Sequence, residues 1–481
     1  MKDKKTMHVI IALVLDLAIS LLLPPVNGLT PVGVRVIGAA VATVWLWSFV
    51  GVDWTSLLSI LLFAITGVGS FGSLFTVGAT PMLMLVTMSA VTIPLSRTGY
   101  IARIINWFVT RKFLKGKPWA FFAFFYAAVY IIGCFLDCGA CCLIAMPVAR
   151  ELIDEIGYEH DSKFASCLYM GIIWFAMWGY AATPIAHTVA IVLMGLVSAS
   201  TGIPMSMFDF MKVGVPSTII LGVLSFLVVR FIVRPDVSKY VNYDPEARGQ
   251  RVSKQMSKGE KRALTIFLVM VFVILFPDLF KNLWPAGAAF ISGLTINGPA
   301  VAAIAVMFLV KDENGDRLLD FTKEVKNLPW TGVFLVMGMF VMAPSLSNAA
   351  TGMPVWINNV LNPLTSNMTS WVPLTLIVTA FCCIFTNFMS CNAIANIAYA
   401  LIAPIALALA PVVNLNALTI VIAIAANVGI MTPAASVPAA IVLGADAHRG
   451  HAFKYGAALI PIGILVCMFI TYPLANVVCP M

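Results

Sequence analysis

Apolar runs of about 20 residues, each the length that crosses a bilayer's hydrocarbon core, alternate with short polar stretches along the whole chain. The pattern predicts eleven spans, near residues 7–24, 32–50, 54–75, 80–97, 163–200, 211–233, 262–280, 286–310, 329–347, 413–444 and 453–477. It also predicts two re-entrant hairpins, near 118–150 and 370–409. The fifth and tenth spans are too long for one crossing, and each is interrupted by Thr-Pro, which predicts a broken helix. The expected fold class is an all-α polytopic membrane protein of about eleven transmembrane helices plus two re-entrant hairpins.

Polar residues inside the apolar runs sharpen this picture. The run Phe135–Pro147 reads FLDCGACCLIAMP, and an acid such as Asp137 at membrane depth normally faces protein or a water-filled site. The four residues from Asp137, DCGA, align with SCNA from Ser390, 253 residues later. Thr98-Gly99 returns as Thr351-Gly352 at the same offset. Thr183-Pro184-Ile185-Ala186 returns as Thr432-Pro433-Ala434-Ala435 at an offset of 249. Three matches in one order predict a duplication. Five spans and one hairpin per copy make the crossings odd, so the second copy is inverted. The expected organisation is an extra first span (1–31), a first repeat (32–234), a connector (235–261) and a second repeat (262–481).

Composition agrees: 61% of the 481 residues are hydrophobic and 10% charged, with a mean hydropathy of +0.97. The net charge of +8 does not point to nucleic acid, because the basic residues lie in loops. By the positive-inside rule, the basic stretches 97–117 and 234–262 belong to the cytoplasm. Residues 351–370 and 411–417, free of Lys and Arg, belong outside. The N-terminus is then cytoplasmic and the C-terminus outside. The absence of an organelle signal points to the plasma membrane. The connector reads as a solvated link. The ten cysteines lie mostly in apolar runs and read as packing residues, with no disulfide framework.

Hairpin tips expose backbone carbonyls for a cation and helix N-terminal amides for an anion. Asp137, Cys138, Gly139, Ser390, Cys391 and Asn392 supply such tips. Thr183, Pro184, Thr432 and Pro433 free carbonyls beside them, since proline removes an amide donor. His187 and the equivalent Ser436 complete the expected substrate site. The imidazole is suited to pairing with Asp137, to binding an anion, to carrying a proton, or to a plain helix–helix hydrogen bond. Asp137, Gly139, Ser390 and Asn392 are the candidate cation ligands. Asn387, Asn396 and Asn427 are expected behind the second tip, and Trp174 and Trp178 in packing. No nucleotide-binding loop, catalytic triad or metal-ligand pattern occurs, so neither an ATP-driven pump nor an enzyme is expected, and no cofactor beyond a coupling ion.

With these residues in hand, the chain resembles the divalent anion/sodium symporter family of dicarboxylate, citrate and sulfate carriers, within the ion transporter superfamily. The resemblance is clearest over 328–357 and over Ala426–Gly444, ANVGIMTPAASVPAAIVLG. It implies a scaffold domain, a moving transport domain, elevator-type movement in a homodimer, and sodium as coupling ion for a small anion such as a di- or tricarboxylate. The family's tips typically read Ser-Asn-Thr. Here only Ser390 matches, and Ala439 stands where the family has Asn after the paired prolines. The first tip's Asp137 is then expected to replace a lost sodium ligand.

Three other readings compete. A sodium/proton antiporter of the same superfamily would use Asp137 and His187 for cations alone. An arsenite or oxyanion transporter would use the cysteines. A membrane-embedded enzyme or receptor lacks a catalytic set or sensor domain in the sequence.

Overall fold

The computed structural model describes every residue except 1, 52, 98–99, 253–254, 296, 329, 354, 357–358, 360–368 and 446–448. The Thr98-Gly99 copy of the repeated dipeptide therefore lies outside the described residues. The protein is an all-α polytopic membrane protein. Among the described residues the only extended pairing is an isolated bridge between Lys311 and Arg317. Helices fill each predicted segment, and among the described residues six are long and apolar enough to cross a membrane unaided.

Two predicted boundaries move. The third and fourth helices, Trp54–Ile65 and Phe71–Arg97, are separated at 66–70 rather than 76–79. Gly67 there takes a left-handed φ of +84°, which ends the helix at little cost because glycine has no Cβ. The eighth segment is bent by 75° between Pro285–Gly293 and Asn297–Leu309.

The first hairpin comprises Pro118–Gly133 and Cys138–Ile156; the second comprises Val372–Phe385 and Cys391–Ala408. Each begins with proline at one of its first two helical positions, where the missing amide costs nothing. The long fifth segment divides into Lys163–Ala182 and Thr188–Thr201. The tenth divides into Leu415–Ala425, a 3-10 turn at Ala426–Val428, and Val437–Ala445. Both interruptions fall on the predicted Thr-Pro dipeptides.

The first halves of the two broken helices form the centre. All of Leu415–Ala425 is buried, and so is Lys163–Ala182 apart from its first residue. Helices apolar on every side belong in such a core. Lys163–Ala182 approaches the first hairpin closely through glycines. A Cβ at Gly179 would stand 2.2 Å from the Tyr130 carbonyl oxygen, and one at Gly133 would stand 2.8 Å from that of Ala176. Small residues let helix backbones meet in this way where lipid supplies no hydrophobic drive. Lys2–Leu22 packs on Pro31–Phe49, and Trp330–Ser347 packs on Trp54–Ile65 and Phe71–Arg97.

The connector is not a solvated link. Its helix Pro245–Val252 inserts Arg248, which is fully buried, against Glu151 (2.9 Å), Glu155 (2.8 Å) and Asn106 (3.1 Å). Tyr240, also fully buried, donates to the Leu114 carbonyl, and Lys239 Nζ donates to the Gly157 carbonyl at 2.6 Å. The connector thereby ties the base of the first hairpin to Tyr100–Val109, a short helix not foreseen in the sequence. The physical reason is burial: a guanidinium withdrawn from water needs paired acceptors, and the hairpin base offers two carboxylates.

Candidate functional site between the two hairpin tips

The two tips and the two helix breaks converge. The tips come from opposite halves, and both reach the second break. The first tip packs on the helix after that break. A Cβ on Gly139 would lie 2.7 Å from Val437 Cγ1, so only glycine admits this approach.

A shared hydrogen bond fixes each tip to its break. Thr183 Oγ1 donates to the carbonyl of Cys134, three residues before Asp137. Thr432 Oγ1 donates to the carbonyl of Asn387, three residues before Ser390. Both threonines precede a proline, buried in the case of Pro184 and exposed in that of Pro433. The hydroxyl thus takes up a carbonyl that the ended hairpin helix leaves free.

The tips then differ. Asp137 is the N-cap of Cys138–Ile156, and its Oδ1 accepts from the amides of Gly139 (2.9 Å) and Ala140 (3.2 Å). Asp137 is exposed. It makes no ion pair, and those two amides are its hydrogen-bond partners among the described residues. Ser390 holds the N-cap position of Cys391–Ala408 but makes no side-chain cap. Ser390 is exposed and Asn392 half-buried. The Cys391 amide instead donates to the Ala435 carbonyl at 3.0 Å, tying the second tip to its own break.

His187 does not meet Asp137. It is fully buried, its ring stands 4.4 Å from that of Tyr180, and its Nε2 receives Asn427 Nδ2 at 2.9 Å. Asn427 also donates to the Ala423 carbonyl at 2.7 Å, which makes Nε2 the acceptor. The pair joins the two breaks across the halves. Ser436, the counterpart of His187, stays within its own break and donates to the Gly429 carbonyl at 2.8 Å. Asn387 stitches that break further: Nδ2 donates to the carbonyls of Cys383 (2.8 Å) and Val428 (3.0 Å), and Oδ1 accepts from the amides of Ile430 and Met431, both at 3.0 Å. Asn396 is buried, and Trp174 and Trp178 are fully buried in the core.

Sequence reading missed Tyr180 and Val437. Tyr180 accepts the Thr188 amide at 3.0 Å and so holds the restart of the helix after the first break. Its position three residues before Thr-Pro was the available signal. Val437 carried none, since one more valine in an apolar run is silent.

All ten cysteines are buried free thiols. Among the described residues no group of three or more His, Cys, Asp or Glu converges on a common metal position. A cleft of about 660 Å³ lies away from the tips, between the start of Lys258–Phe280 and the loop 311–320. Glu260, Asp312, Glu313, Asp316 and Asp320 face Lys311, Arg317 and Lys323 there, so acidic groups outnumber basic ones.

The family described as citrate transporter matches residues 40–418. The chain is 26% identical over 335 residues to the sodium-dependent dicarboxylate transporter SdcS of Staphylococcus saprophyticus, covering 66% of this chain and 62% of that protein. It is 24% identical over 338 residues to the protein of the same name from Staphylococcus aureus, with the same coverage. The chain thus spans 62% of the length of these curated relatives. With a matched region that runs from the second helix through both hairpins to the second central helix, the chain belongs to the citrate transporter family.

Proposed function

We propose that the protein is a secondary transporter, not an enzyme, and that it couples sodium to the symport of a small anion of the di- or tricarboxylate kind. The observation that carries this reading is the pair of equivalent threonine bonds, Thr183 to Cys134 and Thr432 to Asn387, which bring two interrupted helices and two polar tips to one centre. Interrupted helices meeting at mid-membrane offer amide dipoles to an anion and free carbonyls to a cation. The repeated bonds also support a duplicated, inverted organisation with the first span as the extra one. In this reading Asp137, Gly139, Ser390 and Asn392 hold the cation. The tips move with the hairpins in an elevator cycle, in a plasma-membrane homodimer with its N-terminus in the cytoplasm.

The test is thermal unfolding of the purified protein in detergent with sodium, lithium or potassium, against succinate, malate, tartrate and citrate. A ligand that binds only the folded state raises the midpoint by mass action. The expected result is that a carboxylate raises the midpoint with sodium and not with potassium. A midpoint that answers to sodium or pH but to no anion would replace the symporter by an antiporter.

A further inference from the structure

We propose that the protein carries a site for an anionic phospholipid on its membrane face. One acyl chain lies in a groove between Pro118–Gly133 and Met207–Val228, and the phosphate is held by Arg230 at the end of that groove. The site uses none of the tip residues and goes beyond the transport reading.

The two helices run antiparallel. Trp119 meets Phe226 at one end, with ring centroids 6.4 Å apart, and the hydroxyls of Tyr130 and Thr218 meet at 2.9 Å at the other. Between these pairs lies a groove of about 270 Å³, lined among others by Ala123, Ala127 and Gly222. Its three hydroxyls are all engaged by protein. Tyr130 donates to Thr218, Thr218 to the Gly214 carbonyl at 2.8 Å, and Tyr126 to the Cys167 carbonyl at 3.0 Å. The surface left to a guest is hydrocarbon. Ile219 and Val223, which also line the groove, are 48% and 53% exposed, so it opens outward. Met207–Val233 is long and apolar enough to cross a membrane, so the medium it opens to is lipid. Trp119 to Tyr130 spans roughly 16 Å of helix. That is about half of a hydrocarbon core of ~30 Å, the depth of one leaflet.

The end marked by Trp119 is cationic. Arg230 is exposed and sits in a π-helical turn, Val229–Val233. Its guanidinium carbon lies 5.5 Å from the ring centres of both Trp119 and Phe231. Stacking occupies the faces of a guanidinium and leaves its edge donors free, and that fork matches a phosphate. Arg234, four residues on and also exposed, gives Nε to the Phe231 carbonyl at 2.7 Å and adds its charge. Neither arginine makes an ion pair among the described residues. Asp236, the nearest acid along the chain, is engaged by Ser238. Tryptophan is enriched at headgroup level. This end belongs with the basic stretches assigned above to the cytoplasm, and the cytoplasmic leaflet is the one that carries anionic lipid. Free phosphate would account for the arginines but not for the groove, and a zwitterionic lipid for the groove but not for two unpaired arginines.

The test titrates the purified full chain, in a neutral detergent and without carboxylate, with dioleoyl phosphatidylglycerol, dioleoyl phosphatidylcholine or inorganic phosphate, and reads the unfolding midpoint. Phosphatidylglycerol is expected to act at a roughly fivefold lower concentration than phosphatidylcholine, the effect of one basic residue on an anionic headgroup. Phosphate alone should do nothing. Arg230→Gln should bring the two lipids together. Lys112→Gln, which removes an exposed charge that does not line the groove, should leave the preference intact. Ala127→Leu, which fills the groove, should weaken the response to both lipids. Equal action of the two lipids on the unaltered protein would overturn the proposal, as would a preference that survives Arg230→Gln or a phosphate effect as large as that of the lipid. So would an unchanged lipid response in Ala127→Leu. If that variant changed the oligomeric state by light scattering instead, the groove would be a contact between copies. The comparison within the unaltered protein decides even if a variant fails to fold. Because no carboxylate is present, failure here leaves the transport reading untouched.

Discussion

The two halves solve one structural problem by different means. Each must hold a hairpin tip against an interrupted helix inside a membrane, where an unpaired backbone group costs several kcal/mol. Both use the same threonine bond to the last turn of the hairpin's first helix. Beyond that bond they diverge. The second half is stitched at the break by Asn387, whose amide makes four hydrogen bonds around it. The first half has Cys134 at that place. It is secured instead through Tyr180 and His187, and at its base through the connector's Arg248. The second tip is thus held close to the chemistry, whereas much of the first hairpin's anchorage lies at its base.

The largest expected effect tests that division directly. Asn387→Ala removes all four bonds and leaves the Ile430 and Met431 amides and the Val428 carbonyl buried without their partner. A loss of about 3–5 kcal/mol is expected, each orphaned group costing roughly 1–3 kcal/mol before relaxation. The counterpart Cys134→Ala should cost about 1 kcal/mol or less, because the carbonyl that Thr183 uses belongs to the backbone and survives. Thermal unfolding midpoints of the two variants in one detergent make the measurement. Equal shifts would mean that the halves are not held differently after all.

Arg248 probes the other side of the comparison. Arg248→Met fills similar volume but abandons the ion pairs with Glu151 and Glu155 and the bond to Asn106. Glu151 is largely exposed and returns to water easily, so the loss should be roughly 2–3 kcal/mol, the scale of hydrogen bonds to charged groups. It should also be local. Limited trypsin digestion should open the stretch 234–262, rich in Lys and Arg, well before any site in the second hairpin. Cleavage at the unaltered rate would show that Tyr240 and Lys239, not Arg248, hold the connector down.

How far these features were legible in the sequence follows from where their causes lie. The tips and breaks could be read because Asp137, Gly139, Pro184 and Pro433 act on their own backbone, and their effect does not wait for the fold. Gly67 acts in the same way, and the misplaced boundary came from following hydropathy past it. The partner of His187 could not be read. Asn427 lies 240 residues away, and only packing of the two central helices brings it within 2.9 Å. The connector misled for a related reason. A polar stretch rich in Lys and Arg looks solvated, and nothing local distinguishes Arg248 from Arg251. Charge complementarity with a surface assembled from Asn106, Glu151 and Glu155 selects it. The self-capping of Asp137 was also beyond the sequence. A carboxylate before Cys-Gly-Ala suits a helix cap and a cation ligand equally, and the hydrogen bonds to Gly139 and Ala140 show that one of its oxygens is already engaged.

The smallest effect concerns acid and again separates the halves. Two connector carboxylates sit below the ordinary aspartate range. Asp244 is held down first by the hydrogen bond from Lys115, at 3.1 Å, and then by the Glu246 amide. Asp236 is held down by the amide and hydroxyl of Ser238. A carboxyl whose folded value is depressed contributes stability above its unfolded value and loses it as the pH falls through the folded one. Docking of the connector should therefore be constant from neutrality down to about pH 4, the ordinary aspartate value, and weaken below it. Both groups are exposed and screened, so the change should be slight. Salt should mimic it in part at the Lys115–Asp244 pair. Amide hydrogen exchange across 234–252, corrected for the intrinsic effect of pH, would show protection falling there, while the interior helix Leu415–Ala425 keeps its own. Protection lost equally in both places would mean that the connector is not a separately anchored strap but part of one cooperative core.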